Sequence, residues 1–286
     1  MIYILIQGDN MFEEYTKTPN SISYGKLYIT SIEVPYHKEK RTIRVWTPEG
    51  YNPDDKITRY KVIYMCDGQN LVDKYTSAFG EWNMDVICHN LIKEGYEPFI
   101  VVGIDSPKSD AERMNELCTP IPTRKFKGSP DNPIGNLFAD HLFSVVKPLV
   151  DKHFNTLPER ENTGIGGSSM GGLMAFYCYA YKREYVGFSL CFSPAFFLYH
   201  KDKFIKGMKT WSPEHEDYGK IFFFVGGRDF EKLFVNRTLD MYFFLKRRGF
   251  EDKQVALIYD SNQYHHESSW EIYAPNALKF WLKKLR

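Results

Sequence analysis

Gly167-Ser168-Ser169-Met170-Gly171 places a serine two residues from a glycine on each side, between the short apolar run 163–168 (TGIGGS) and an apolar helical pattern. A strand-to-helix turn this tight forces its central residue into a strained backbone and lifts the side chain above the sheet edge. Glycines must flank it, because a Cβ there would collide with the neighbouring strand or helix. Such a hydroxyl could attack a carbonyl. The backbone N–H of Met170, at a helix N-terminus, could then meet the developing oxyanion. Two other glycine-rich chemistries fail on residue type: a P-loop would need a Lys here, and the dinucleotide spacing counted from Gly164 has Ser169 where its last Gly belongs.

A serine hydroxyl is a poor nucleophile at neutral pH and needs a base that an acid orients, in the chain order Ser, acid, His for this kind of turn. Four histidines follow Ser169. His200 and His215 sit among charged residues in a long connection, as solvated loop histidines do. His265 and His266 follow an apolar run, 253–259, by a short polar loop, which brings them to the edge where Ser169 stands. The acid should follow the preceding run, where KIFFFVGG leads into Arg228-Asp229-Phe230-Glu231. Asp229 comes first after the glycines and is the expected acid, with Glu231 and Asp260 in reserve. A second oxyanion donor is expected from the turn Cys66-Asp67-Gly68-Gln69-Asn70, at the N–H of Gln69.

These groups need a sheet edge to hold them. β-branched and aromatic runs appear at about 26–34, 41–47, 60–65, 98–104, 163–168, 187–192, 220–226 and 253–259. The first two alternate apolar with polar residues, as half-exposed antiparallel strands do. The later ones are nearly continuous, as parallel strands covered on both faces are. Helical patterns at about 83–94, 136–151, 170–182, 234–248 and 268–284 lie between or after the later runs. The expected fold is therefore α/β: one domain over 1–286, a mostly parallel central sheet with an antiparallel start and helices on both faces. Residues 105–135 are rich in Pro, Ser and charge and leave the C-terminal end of a strand, so they are expected to form an active-site loop or lid. Arg113 and Glu116 are expected to brace it as an ion pair. A second long connection, 193–219, leaves the same edge.

Thirty-seven Lys and Arg against 36 Asp and Glu leave a net charge of +1, which gives no bulk field toward nucleic acid or an anionic membrane. Five cysteines without a CxxC pair fit free thiols in a reducing cytoplasm better than a disulfide framework. The only N-terminal apolar stretch, 1–6, is too short for a signal peptide or a membrane span. His265, His266 and Glu267 could suggest a metal cluster, but adjacent loop histidines rarely converge on one ion. No metal or organic cofactor is expected.

Several motifs occur in one order along the chain: 62–71 (VIYMCDGQNL), Arg113-x-x-Glu116-Leu117, Gly167-Ser168-Ser169-Met170-Gly171-Gly172-Leu173, Phe192-Ser193-Pro194 and His265-x-Glu267-x-x-Trp270. Together they resemble the putative-esterase family of α/β-hydrolases, over about residues 25–285. That family includes siderophore trilactone esterases, S-formylglutathione hydrolases, carbohydrate acetyl and feruloyl esterases, and mycolyltransferases. The resemblance implies a serine esterase with an acyl-enzyme intermediate. It selects His265 over His266, since the family pattern has Glu two and Trp five positions after the base, and its acid turn aligns with Asp229. His266 departs from the pattern and takes no role from it. The substrate is expected to be a small-molecule or carbohydrate-linked ester, with Arg113, Glu116, Phe192 and Trp82 as its contacts. A siderophore lactone, a thioester, or a catalytically idle binding protein of the same fold are the rivals.

Overall fold

The computed structural model describes residues 11–16, 21–77, 79–120, 129–200 and 217–285. Among the described residues, nine strands form one sheet: β1 (Glu13–Glu14), β2 (Lys26–Ile32), β3 (Arg41–Thr47), β4 (Lys61–Cys66), β5 (Phe99–Ile104), β6 (Thr163–Ser168), β7 (Phe188–Phe192), β8 (Lys220–Gly226) and β9 (Val255–Asp260). Their spatial order is β1-β2-β3-β5-β4-β6-β7-β8-β9. Pairings β1–β2, β2–β3 and β3–β5 are antiparallel, and every pairing from β5 to β9 is parallel. The mixed sheet expected from the change in hydrophobic pattern is present. β2 mixes buried with exposed positions along its length, whereas β4 to β7 are buried at every residue.

Helices cover both faces. On one, α1 (Met84–Lys93) and the last helix, α7 (Glu267–Trp281), pack Cys88, Leu91, Ala277 and Trp281 onto Phe188, Phe192 and Phe222. On the other lie α3 (Gly135–His141), α4 (Lys147–His153), α5 (Met170–Tyr181) and α6 (Lys232–Arg247), burying Ala139, Val150, Phe176 and Leu245 against Val102, Ile165 and Phe223. The helical pattern at about 136–151 is a helix that widens into a π turn at Leu142–Val146, just before Pro148. A proline ring inside a regular helix clashes with the carbonyl four residues back, and the wider turn opens space there.

The chain leaves β4 for β5 on one side and returns with β6 on the other. The carboxyl ends of β4, β5 and β6 therefore surround a switch point, where open α/β sheets form their ligand crevice. Residues 105–135 do leave this edge, but not as an irregular loop. Asp110–Leu117 is a helix, α2, and α3 begins at Gly135, while 121–128 lie outside the described residues. Glu116 and Leu117 bury the inner face of α2. No helix of the described residues is long and apolar enough to cross a membrane.

Candidate active site

Ser169 joins β6 to α5 with φ 58° and ψ −116°, outside the regions a residue with a side chain ordinarily occupies. The glycines around it allow this approach. A Cβ on Gly167 would lie 2.7 Å from the carbonyl carbon of Gly171, and one on Gly171 would lie 2.9 Å from Cβ of Cys66. The end of β7 holds the turn: Ser169 N–H donates to the Phe192 carbonyl at 2.9 Å, and Ala195 N–H donates to the Ser169 carbonyl at 3.1 Å. Met170 is the first residue of α5, so its N–H has no acceptor within the helix.

Ser169 opens into a cleft of about 540 Å³ that Gln69, Arg113, His265, His266 and Trp270 also line. The turn after β4 forms one wall. Asp67 has φ 58°, and Gly68–Asn70 make a 3-10 turn. Two clamps hold this turn. The guanidinium of Arg113 donates to both carboxylate oxygens of Asp67, Nε to Oδ1 at 2.6 Å and a terminal nitrogen to Oδ2 at 2.7 Å. The Gln69 side chain donates to the Ser106 hydroxyl at 2.9 Å and accepts the Ser106 N–H at 3.0 Å. The Gln69 side chain thus ties the turn to the segment after β5, and Asp67 ties it to α2.

His265 faces a carboxylate through Nδ1, and that carboxylate belongs to Glu231, at Oε2. Asp229, the acid expected from the sequence, is exposed. The reason lies in the turn. Asp229 itself takes φ 54° and starts a 3-10 turn, Asp229–Glu231, which folds the chain back so that Glu231 is completely buried under the end of β8. Gly226 allows that return, because a Cβ there would lie 2.8 Å from Cγ of Glu231. The imidazole is also gripped by aromatic rings. Phe234 stacks on it at 4.3 Å, and Trp270 meets it edge-on at 5.1 Å.

Three of the expected substrate contacts are elsewhere. Glu116 is 1% exposed and pairs with Arg41 on β3 at 2.6 Å, so the Arg113–Glu116 ion pair does not form. Burial pushes the Glu116 carboxyl up to about 7, against the pull of Arg41. Phe192 and Trp82 are core residues stacked on one another at 5.4 Å, with Trp82 also packed on Trp270. They support the floor of the cleft rather than line it. Arg113 alone of the four lines the cleft, and burial, which would lower its pKa, is outweighed by the adjacent Asp67, which raises it.

His266 caps the final helix, its Nδ1 accepting the Ser268 N–H at 3.1 Å while the ring lines the cleft. Glu267 lies beside it, buried, accepting from Nδ2 of Asn70 at 3.2 Å. Burial pushes its carboxyl up to about 7, its own backbone N–H opposes the rise, and Asp67 adds to it. A carboxyl raised in the folded state holds its proton to higher pH than in the unfolded chain. Its contribution to stability is therefore full below the ordinary carboxylate value and is lost as pH rises toward about 7. Glu267→Gln, which keeps the acceptor for Asn70, is expected to shrink the fall in thermal midpoint between pH 5 and 7, roughly the window between the two values. Parallel curves for the two proteins would contradict it. Among the described residues, no group of three His, Cys, Asp or Glu could hold a metal ion.

A family model described as "Putative esterase" matches residues 35–239. The matched stretch takes in Ser169 and Glu231 and ends before His265. Solved structures are similar in fold at low identity. A ferulic acid esterase superposes with a TM-score of 0.68 at 14% identity, covering 90% of this chain and 98% of that one. The siderophore hydrolase EstA from Aspergillus nidulans gives 0.69 at 15%, covering 92% and 94%. A ferulic acid esterase from Anaeromyces mucronatus, in complex with ferulic acid, gives 0.63 at 19%, covering 93% and 94%.

Proposed function

Because this chain belongs to the putative-esterase family and is on that ground a carboxylic-ester hydrolase, we propose that it works through an acyl-enzyme in which Ser169 is the nucleophile, His265 the base and Glu231 the orienting acid. The observation that carries the reading is the contact of Glu231 with Nδ1 of His265 in the cleft into which the strained Ser169 opens. A carboxylate at Nδ1 keeps a proton on that nitrogen and leaves Nε2 as the base. Nε2 takes the Ser169 proton as Oγ attacks the carbonyl carbon, then gives it to the departing alkoxide. Water, deprotonated by the same nitrogen, attacks the acyl-enzyme; the bond to Oγ breaks, that proton returns to Oγ, and the acid leaves. Negative charge on the carbonyl oxygen in both steps is met by the N–H groups of Met170 and Gln69.

We take the substrate to be an acylated carbohydrate, with an acetyl or feruloyl group. The cleft walls support this: Ser106, Lys108, Asp110 and His266 offer donors and acceptors to a polyhydroxylated alcohol. The five cysteines, all buried and unpaired, fit action in a reducing cytoplasm. Acetylated and feruloylated oligosaccharides, a catechol trilactone and an acyl thioester, compared by kcat/KM, test the assignment. The expected result is a preference of about tenfold or more for an acyl sugar, equivalent to about one well-made polar contact. A trilactone or thioester preference would move the reading to a siderophore esterase or a thioesterase, and hydrolysis of none would rule out all of these substrate classes.

A further inference from the structure

The Glu231 carboxylate is held at both oxygens. Oε2 faces His265, while Oε1 accepts the Gly226 N–H at 2.9 Å and the hydroxyl of Ser193. Ser193 follows β7 and is completely buried, with φ 43°, a left-handed backbone that disfavours any residue with a Cβ. Its N–H donates to the Phe224 carbonyl on β8 at 2.7 Å, which fixes the residue between the two strands. The Ser193 oxygen accepts a hydrogen bond from the indole Nε1 of Trp270 at 3.0 Å. An indole N–H can only donate. The hydroxyl therefore accepts from Trp270 and turns its own proton to Glu231.

Packing alone does not account for this residue. Gly would relieve the positive φ, and Ala would remove a buried polar group, so a serine here is justified by the bonds it makes. We propose that Ser193, aimed by Trp270, is a positioning residue of the ester hydrolysis: it holds Oε1 so that Oε2 remains on the imidazole. The proposal rests on Glu231 being the acid. With two donors on Oε1 the carboxylate cannot turn about its last bond, and His265 keeps the ring orientation that the proposed proton transfer from Ser169 to Nε2 requires. Trp270 touches the His265 ring as well, so the donor chain begins and ends at the same imidazole.

The test measures kcat and KM on a small activated acetate for Ser193→Ala and Ser193→Gly, each alone and in a Glu231→Gln background. Ser193→Gly relieves the backbone strain and keeps the comparison open should the alanine variant fold poorly. Each single variant is expected to lower kcat about tenfold or more, the scale of a hydrogen bond to a charged group, and to leave KM within about twofold. In the Glu231→Gln background the same changes are expected to cost nothing further, because the group they position is already lost. Wild-type kcat in the Ser193 variants, or an equal loss in both backgrounds, would overturn the proposal and leave Glu231 as the acid. Wild-type turnover in Glu231→Gln alone would overturn both.

Discussion

Glu231→Gln is expected to lower kcat by about 10³- to 10⁴-fold, and Asp229→Asn to leave it within about threefold. The two side chains lie two residues apart, and both follow the glycines at the end of β8, yet only Glu231 touches His265. Glutamine has nearly the same shape, so the fold and the packing around the imidazole should persist. What changes is charge and hydrogen-bond polarity. In the proposed mechanism an amide at Nδ1 would no longer stabilise the imidazolium formed as Ser169 attacks, and with its NH₂ facing the ring it would favour the tautomer that places the proton on Nε2, where it blocks the base. Asp229 is exposed and should tolerate the same change. Steady-state turnover of an activated acetate, with circular dichroism to verify folding, measures both. The opposite ranking would restore Asp229 as the acid.

The paired histidines should separate as sharply. His265→Ala removes the proposed base together with its contact to Glu231, and turnover is expected to fall roughly 10⁴-fold or more. His266→Ala removes a helix cap, which should cost on the order of 1 kcal/mol of stability and leave turnover within about threefold. A loss of turnover confined to His266→Ala would reverse the register of the loop before the final helix.

Much of this arrangement is legible in the residues, and each exception has its own physical cause. All eight apolar runs are strands, to within about two residues at their ends, because their shortness and their β-branched and aromatic content separate them from the helical patterns. β1 is two glutamates at an edge and carries no pattern at all. α2 is eight residues in a segment dense with Pro, Ser and charge, too short for its apolar face to stand out. At the site, chain order and turn chemistry locate Ser169 and the histidine loop, since few residue types can do that work. Order cannot choose between Asp229 and Glu231: either could serve chemically, and the choice is made by a left-handed backbone at Asp229 that spacing does not encode. Arg113 and Glu116 are three apart on a helix, a spacing that permits an ion pair. Asp67 and Arg41, brought in by the sheet, take the two partners instead. Trp82 and Phe192 were ambiguous for another reason, because an aromatic ring serves a core and a binding wall equally well and only burial separates them. Ser193 and Trp270 stand in motifs visible in the chain, but their bond to each other spans 77 positions.

Covalent labelling by a fluorophosphonate reads out whether the Ser169 hydroxyl is activated by its neighbours. Such a reagent reacts rapidly only with an oriented serine that a base can deprotonate. Peptide mapping by mass spectrometry is expected to find one adduct, on Ser169, formed at a rate that falls by orders of magnitude in His265→Ala and Glu231→Gln. An adduct on another residue, or labelling that survives in Ser169→Ala, would mean that Ser169 is not the nucleophile.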